Sequence, residues 1–223
     1  MLRHRRPPER TGTSVAVESM PLPELTSDSL PEPVRVLKAW YKAAEKRERG
    51  RAHNTMVLAT CAPDGQPSAR VVICKHIETS PLSLIFFTGH ESRKARELAA
   101  NPRAATVFHW ARSRRQVRIE GVVERLSEEE ADAYARAWAP LERVGARVIA
   151  ANGATGNPIR RALRMANAAA GRGVQPRQQG WAGYRLEALA VELWASPHGV
   201  AYTRVRWTRR AADAGSLWQI AIA

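Results

Sequence analysis

The chain is poor in cysteine, lysine and acid, and it has no long apolar run. Its two cysteines, Cys61 and Cys74, fall in separate β-like stretches and form neither a C-x-x-C redox pair nor a zinc knuckle. That predicts reduced core thiols in a cytoplasmic protein. The longest apolar runs, such as Val71–Cys74 and Leu84–Phe87, are strand-sized, well short of the roughly 18 residues a spanning helix needs, so no membrane partner is expected. The opening Met1–Arg10 is basic, but no apolar segment of signal-peptide length follows it, and a secretory signal is not expected. The motifs G-x-x-x-x-G-K-[ST], G-x-G-x-x-G after a strand, G-x-S-x-G and H-E-x-x-H are all missing, which excludes the common nucleotide, hydrolase and zincin signatures. The six histidines are scattered, so no metal site is expected.

What is present fits one soluble domain. At 223 residues, the chain can bury a substantial core. With 44% hydrophobic and 25% charged residues, it is neither collagenous nor wholly disordered. The charge is unusual: 35 Lys+Arg against 21 Asp+Glu leaves +14, and only Lys38, Lys42, Lys46, Lys75 and Lys94 are lysines. Such an excess favours an anionic partner, which could be nucleic acid, a membrane surface or a phosphorylated small molecule.

Residues 1–28 mix Arg, Pro, Ser, Thr and Glu with few large apolar groups and read as a flexible arm. Residues 29–223 form the folded domain. Val34, Leu37, Trp40, Tyr41 and Ala44 recur at helical spacing over 33–49, with Gly50 placed to stop the helix. The period then changes to two. Residues 55–62 and 68–77 read as strands joined by the turn Pro63-Asp64-Gly65-Gln66. Residues 82–88, 104–110 and 116–126 read as three more. A short helix over 91–101 lies between the third and fourth, and Ser127-Glu128-Glu129-Glu130 is a capping box that opens a helix running toward Trp138. Residues 140–180 are rich in Arg, Ala and Gly and read as a helical or loop insertion; strands follow over 181–195, 200–209 and 217–222. Short antiparallel-looking strands with helices set between them predict a mainly β barrel with helical decorations, not a βαβ array.

The informative chemistry is Arg70-Val71-Val72-Ile73-Cys74-Lys75, then Phe86-Phe87-Thr88, then Ser92-Arg93-Lys94. A strand with a cation at each end, a hydroxyl, and Ser-Arg-Lys at a helix N-terminus can converge several donors on one phosphate. Taken alone, Ser-Arg-Lys fits solvated charge on an exposed turn equally well. Gln116, opening a strand, carries the donor pair and acceptor needed to read the edge of a heterocycle.

With Asn101-Pro102-Arg103, Trp110, Arg115-Gln116-Val117, Gly121 and Glu124-Arg125-Leu126-Ser127, this order resembles the central block of the pyridoxamine phosphate oxidases, FMN-binding split-barrel enzymes. The resemblance implies a homodimer with FMN at the subunit interface. Arg70, Arg93 and Lys94 would hold its phosphate, with Thr88 adding a hydroxyl beside Phe87, and the backbone of Val71, Val72 and Ile73 would line the isoalloxazine. Gln116 would bond the ring, and Trp194 and Arg204 would complete the pocket. In the substrate half, Lys75 and Tyr134 match the family's phosphate donors, but Trp138 stands where an Arg is expected, and Glu142 or a neighbour where a Ser is expected. Val200 and Tyr202 stand where an Arg and a His would meet the substrate ring.

A pocket walled by Trp138, Val200 and Tyr202 suits a flat substrate without phosphate. The expected activity is hydride transfer from an aromatic or heterocyclic small molecule to FMN and on to molecular oxygen. Tyr202 and Lys75 are candidates for handling protons, and no catalytic residue is assigned. Rival readings are a flavin- or deazaflavin-dependent reductase, an authentic pyridoxamine/pyridoxine phosphate oxidase, and a non-catalytic flavin- or nucleic-acid-binding protein.

Overall fold

The computed structural model describes residues 33–136, 180–196, 202–209 and 218–222. The expected arm over 1–28, the insertion over 140–180 except its last residue, Trp138, Glu142 and Val200 lie outside the described residues. The elements are α1 (Pro33–Arg47), β1 (Thr55–Cys61), β2 (Pro67–Thr79), β3 (Leu82–Gly89), α2 (Arg93–Ala100), β4 (Arg103–Trp110), β5 (Arg115–Arg125), α3 (Glu128–Arg136), β6 (Trp181–Ala195), β7 (Thr203–Thr208) and β8 (Gln219–Ile222). β7 starts later than the alternation predicted, at Thr203 where 200 was expected, and β8 starts at Gln219 where 217 was expected.

Local chemistry explains most boundaries. Pro33 opens α1, where its missing N–H would have no intrahelical partner. Val36, Leu37, Trp40 and Ala44 then bury one stripe of the helix. In the β1–β2 turn, Gly65 takes a φ of 88° that a side chain would strain, and the Asp64 carboxylate accepts from Gln66 N at 3.0 Å. The capping box forms as expected: Ser127 N donates to Glu130 Oε2 at 3.0 Å, and Glu130 N donates to Ser127 Oγ at 3.1 Å.

All pairings are antiparallel, in the order β3-β2-β1-β4-β5-β6-β7-β8, and a further β3–β6 pairing closes the first six strands into a barrel. This is the mainly β barrel with helical decorations that the pattern of short strands predicted, in the split form that the family resemblance implied. β6 makes the split. One of its edges pairs with β5 from Tyr184 to Ala195, while the other pairs with β3 over Trp181–Glu187 and with β7 over Ala190–Ala195. Leu58, Phe86, Phe108, Val117, Ile119, Leu186 and Leu193 are fully buried in the barrel core. β3 is buried on both faces, because Ile85 and Phe87 pack outward under α3 against Leu126 and Ala131. No helix among the described residues is long and apolar enough to cross a membrane.

The acid limit of this fold follows from its carboxylates. Hydroxyl donors from Thr60 and Ser68, joined by Arg93, hold Glu97 down at about 2. The Arg206 bond lowers Glu120, and the Ser127 backbone N–H followed by Arg185 lowers Glu130. At Glu78, burial pulls upward, but bonds from Arg185 and Tyr134 outweigh it. A depressed folded-state pKa stabilises the protein above the unfolded value, near 4.5, and that stability is lost as pH falls toward the folded value. Urea midpoints followed by circular dichroism are therefore expected to be level from about pH 7 to about pH 5 and to fall steeply between about 4.5 and 2. An unchanged midpoint at about pH 3 would contradict this assignment.

Candidate functional site

Chemistry-bearing residues gather in three places. The first is the N-terminus of α2. Ser92 caps the helix and accepts from Ala95 N at 3.3 Å, and the N–H groups of Arg93 and Lys94 have no intrahelical acceptor. Lys94 Nζ donates to Thr88 Oγ1 at 2.8 Å, and that hydroxyl lies 3.4 Å from Ser92 Oγ. Burial pulls the Lys94 ammonium below its ordinary pKa, and Arg70 adds repulsion. Arg70 reaches over from β2 with Nη1 on Leu58 O (3.3 Å) and Thr60 Oγ1, and Nη2 on Ser68 Oγ and Glu97 Oε2 (3.3 Å). Arg93 Nε donates to Glu97 Oε1 at 2.7 Å. Arg70, Arg93 and Lys94 thus face a single carboxylate, a surplus of two positive charges, which balances the roughly −1.5 to −2 of a phosphate monoester. The donor set fits a phosphate.

The second place is a row across the outer face of β4–β7, where His109 pairs with Gln116, Gln116 with Trp194, and Trp194 with Arg204. The Tyr202 ring stacks on Trp194 at 5.8 Å between centroids and is 66% exposed. One register step along lie Val71, Val57 and Val107, and an open depression of about 420 Å³, lined by Arg51, Thr55, Val57, Val107 and His109, sits beside Gln116. The turn before Gln116 is clasped from two sides. Glu48, at the end of α1, accepts from Ser113 N at 3.1 Å and Ser113 Oγ at 3.0 Å, while Arg114 O accepts from Ser196 N at 3.1 Å. Arg115 lies over the Trp40 ring at 4.7 Å.

The third place is the junction of β2 and α3. Lys75 is the extra residue of a bulge between Cys74 and His76, a feature that turns a side chain out of the strand's alternation. The Tyr134 hydroxyl donates to Glu78 Oε1, and its ring centroid lies 5.6 Å from that of His76. Burial and the Glu78 carboxylate both raise the Tyr134 pKa. Arg185 ties this corner together, bonding Glu78 at 2.8 Å, Glu124 at 2.6 Å and Glu130 at 3.0 Å.

Several expected residues come together and others do not. Arg70, Thr88, Arg93 and Lys94 form one cluster; Gln116, Trp194, Arg204 and Tyr202 form another. Val71 is exposed and Ile73 half-buried, whereas the Val72 and Phe87 side chains are core and leave only backbone for a ligand. Two carboxylates outside the expected set, Glu97 and Glu48, also hold these clusters. Glu97 stands four residues after Arg93, so the i,i+4 spacing was legible; nothing local marked Glu48. The two clusters sit at opposite ends of β6. Thr88 pairs with Ala182 near its start, and Trp194 lies near its finish, roughly 40 Å of strand path away.

Comparison with known proteins agrees with this fold. A family model described as pyridoxamine 5'-phosphate oxidase matches residues 43–171. A pyridoxine/pyridoxamine 5'-phosphate oxidase of Gluconobacter oxydans is 37% identical over 197 residues, covering 86% of this chain and 94% of the relative. One from Cupriavidus taiwanensis is 39% identical over 196 residues, covering 87% and 89%. Among solved structures, PhzG of Burkholderia lata in complex with tetrahydrophenazine-1-carboxylic acid superposes with a TM-score of 0.70 at 26% identity, covering 88% of this chain and 95% of that one. A pyridoxamine 5'-phosphate oxidase-related, FMN binding protein of Nostoc punctiforme, at 18% identity and a TM-score of 0.67 with 87% and 98% covered, shares the fold. By sequence match and by barrel topology, the chain belongs to the pyridoxamine 5'-phosphate oxidase family.

Proposed function

We propose that this protein is an FMN-dependent oxidase that binds its cofactor between two copies of the chain and acts on a flat, non-phosphorylated aromatic or heterocyclic molecule. The separation of the two clusters along β6 carries the first part. A phosphate cradle at one end and a ring-reading row at the other serve one flavin only if different chains supply them, a self-complementary arrangement that two-fold symmetry produces. Arg93, Lys94, Thr88 and the α2 N-terminus of one copy would hold the phosphate, and Gln116, Trp194 and Arg204 of the other would hold the ring edge. When bound, FMN supplies the redox chemistry, taking hydride from the substrate and passing both electrons to oxygen as hydrogen peroxide. The chain contributes placement and exclusion of water. Tyr202, stacked on Trp194, offers a second aromatic plane where the family pattern has a histidine. Such a wall recognises a ring by area and quadrupole without needing a phosphate.

A second reading, authentic pyridoxine/pyridoxamine 5'-phosphate oxidation, is favoured by the names of relatives at 37–39% identity. The test is direct. Purified protein should be yellow and release FMN on denaturation. In air it should form peroxide with a reduced, non-phosphorylated tricyclic carboxylate, with kcat/KM at least about 100-fold above that for pyridoxine 5'-phosphate, in line with losing an arginine and a serine donor to a phosphate. Efficient turnover of pyridoxine 5'-phosphate would establish the second reading instead.

A further inference from the structure

Glu97 is the feature of the phosphate cradle that the proposed chemistry does not use. It is a carboxylate within a cluster of cations meant for an anion, and it is buried on α2, a helix whose packed face otherwise shows Ala95 and Leu98. Its two oxygens have different tasks. Oε2 is fixed to the barrel by the hydroxyls of Thr60 and Ser68 (2.7 Å for the latter) and by Arg70 Nη2 at 3.3 Å. Among the described residues, Oε1 takes only Arg93 Nε, at 2.7 Å. A guanidinium gripped along its Nε edge keeps its remaining N–H groups free in a fixed plane, and that fork is the geometry that meets two phosphate oxygens at once. Most of the Arg93 side chain is exposed, at 60%, so little besides Glu97 restrains it. Arg70 and Lys94 stand close enough to repel one another, and the carboxylate between the cations offsets that repulsion before any phosphate arrives.

We infer that Glu97 is a positioning residue for the cofactor phosphate: anchored to the barrel through Thr60 and Ser68, it holds the Arg93 fork open and keeps the cationic cradle assembled in the flavin-free chain. The inference rests on the FMN reading above. It makes Glu97 a determinant of selectivity for FMN over riboflavin, because its effect passes through the phosphate alone. A purely structural carboxylate would act on both ligands alike.

The test is fluorescence titration of the full chain with FMN and with riboflavin, alongside thermal unfolding. Glu97→Gln is expected to weaken FMN at least tenfold and to leave riboflavin within about twofold, collapsing the preference between them. The milder Ser68→Ala, which removes one anchor of Oε2, should lower that preference several-fold and covers the case in which Glu97→Gln fails to fold. Arg93→Ala should cost much less FMN affinity in the Glu97→Gln background than alone, since the two residues act as one unit. Unchanged or tighter FMN binding by Glu97→Gln, or an equal loss for both ligands, would overturn the inference. A wild-type chain that binds neither ligand would instead overturn the FMN reading beneath it.

Discussion

Gly121→Ala is expected to unfold the barrel or to leave it barely stable. Gly121 sits in the β5–β6 pairing beside a bulge, where Glu120 pairs with Ala190 and Gly121 with Ala188, leaving Leu189 as the extra residue. A Cβ there would lie 1.9 Å from Glu187 O, 2.9 Å from its carbonyl carbon and 3.3 Å from Ala188 Cα. All three are backbone atoms of the neighbouring strand, so no side chain can swing aside. That strand is also held in place from its other edge: Arg209 Nε donates to Ala188 O at 2.7 Å, Arg209 Nη2 to Glu187 Oε1 at 2.8 Å, and Arg209 N to Leu189 O at 2.8 Å. Relief requires parting β5 from β6, one of the pairings that close the six-stranded barrel. A loss of at least about 3 kcal/mol in urea unfolding is expected, in the range reserved for backbone displacement in a packed core. Gly89→Ala is the control, since its nearest neighbour would be 3.8 Å away, and it should cost less than about 1 kcal/mol. Equal stability of the two variants would show that β5 and β6 separate at little cost.

Replacing Arg93 and Lys94 together by alanine should weaken FMN by about 100- to 1,000-fold, the lower part of what two charge-assisted bonds supply, because Arg93 is largely solvated. Isothermal titration with FMN reads the effect, and the fold should survive, since neither side chain is core. The same variant tests the two-chain site. Paired with a Trp194→Ala/Arg204→Ala chain, which damages the other end of β6, each parent should be nearly colourless alone. Unfolding and refolding the two together makes hybrids in which one of two sites draws an intact phosphate cradle from one copy and an intact ring row from the other. Flavin should return to about a quarter of all sites. A mixture that stays colourless would place the whole cofactor site within one chain.

Much of this was legible before any fold was known. The period-two runs located the central strands, the capping box at Ser127 and Glu130 formed as drawn, and the cluster Arg70, Thr88, Arg93 and Lys94 assembled at one helix N-terminus. These signals are local, because φ/ψ preference, side-chain alternation and cap chemistry depend on a few neighbouring residues. Nothing in the sequence around Glu97 marks it as buried, since its burial depends on Thr60 and Ser68 from another hairpin. The Phe87 side chain is core, because α3 covers the outside of β3, so its expected contact with a ligand can come only from backbone.

The amino-acid sequence by itself determined the family, the mainly β architecture and the residue types needed to grip a phosphate, all of which short-range pattern and composition encode. Only the tertiary structure decided that β3 closes on β6, that the Glu97 carboxylate stands among Arg70, Arg93 and Lys94, and that the row of Gln116, Trp194 and Arg204 lies at the far end of β6 from that cluster. The physical reason is distance along the chain. β3 and β6 lie roughly a hundred residues apart in sequence, and such pairing is chosen by which apolar faces can be buried together, a property of the whole assembly that no window of neighbouring residues contains.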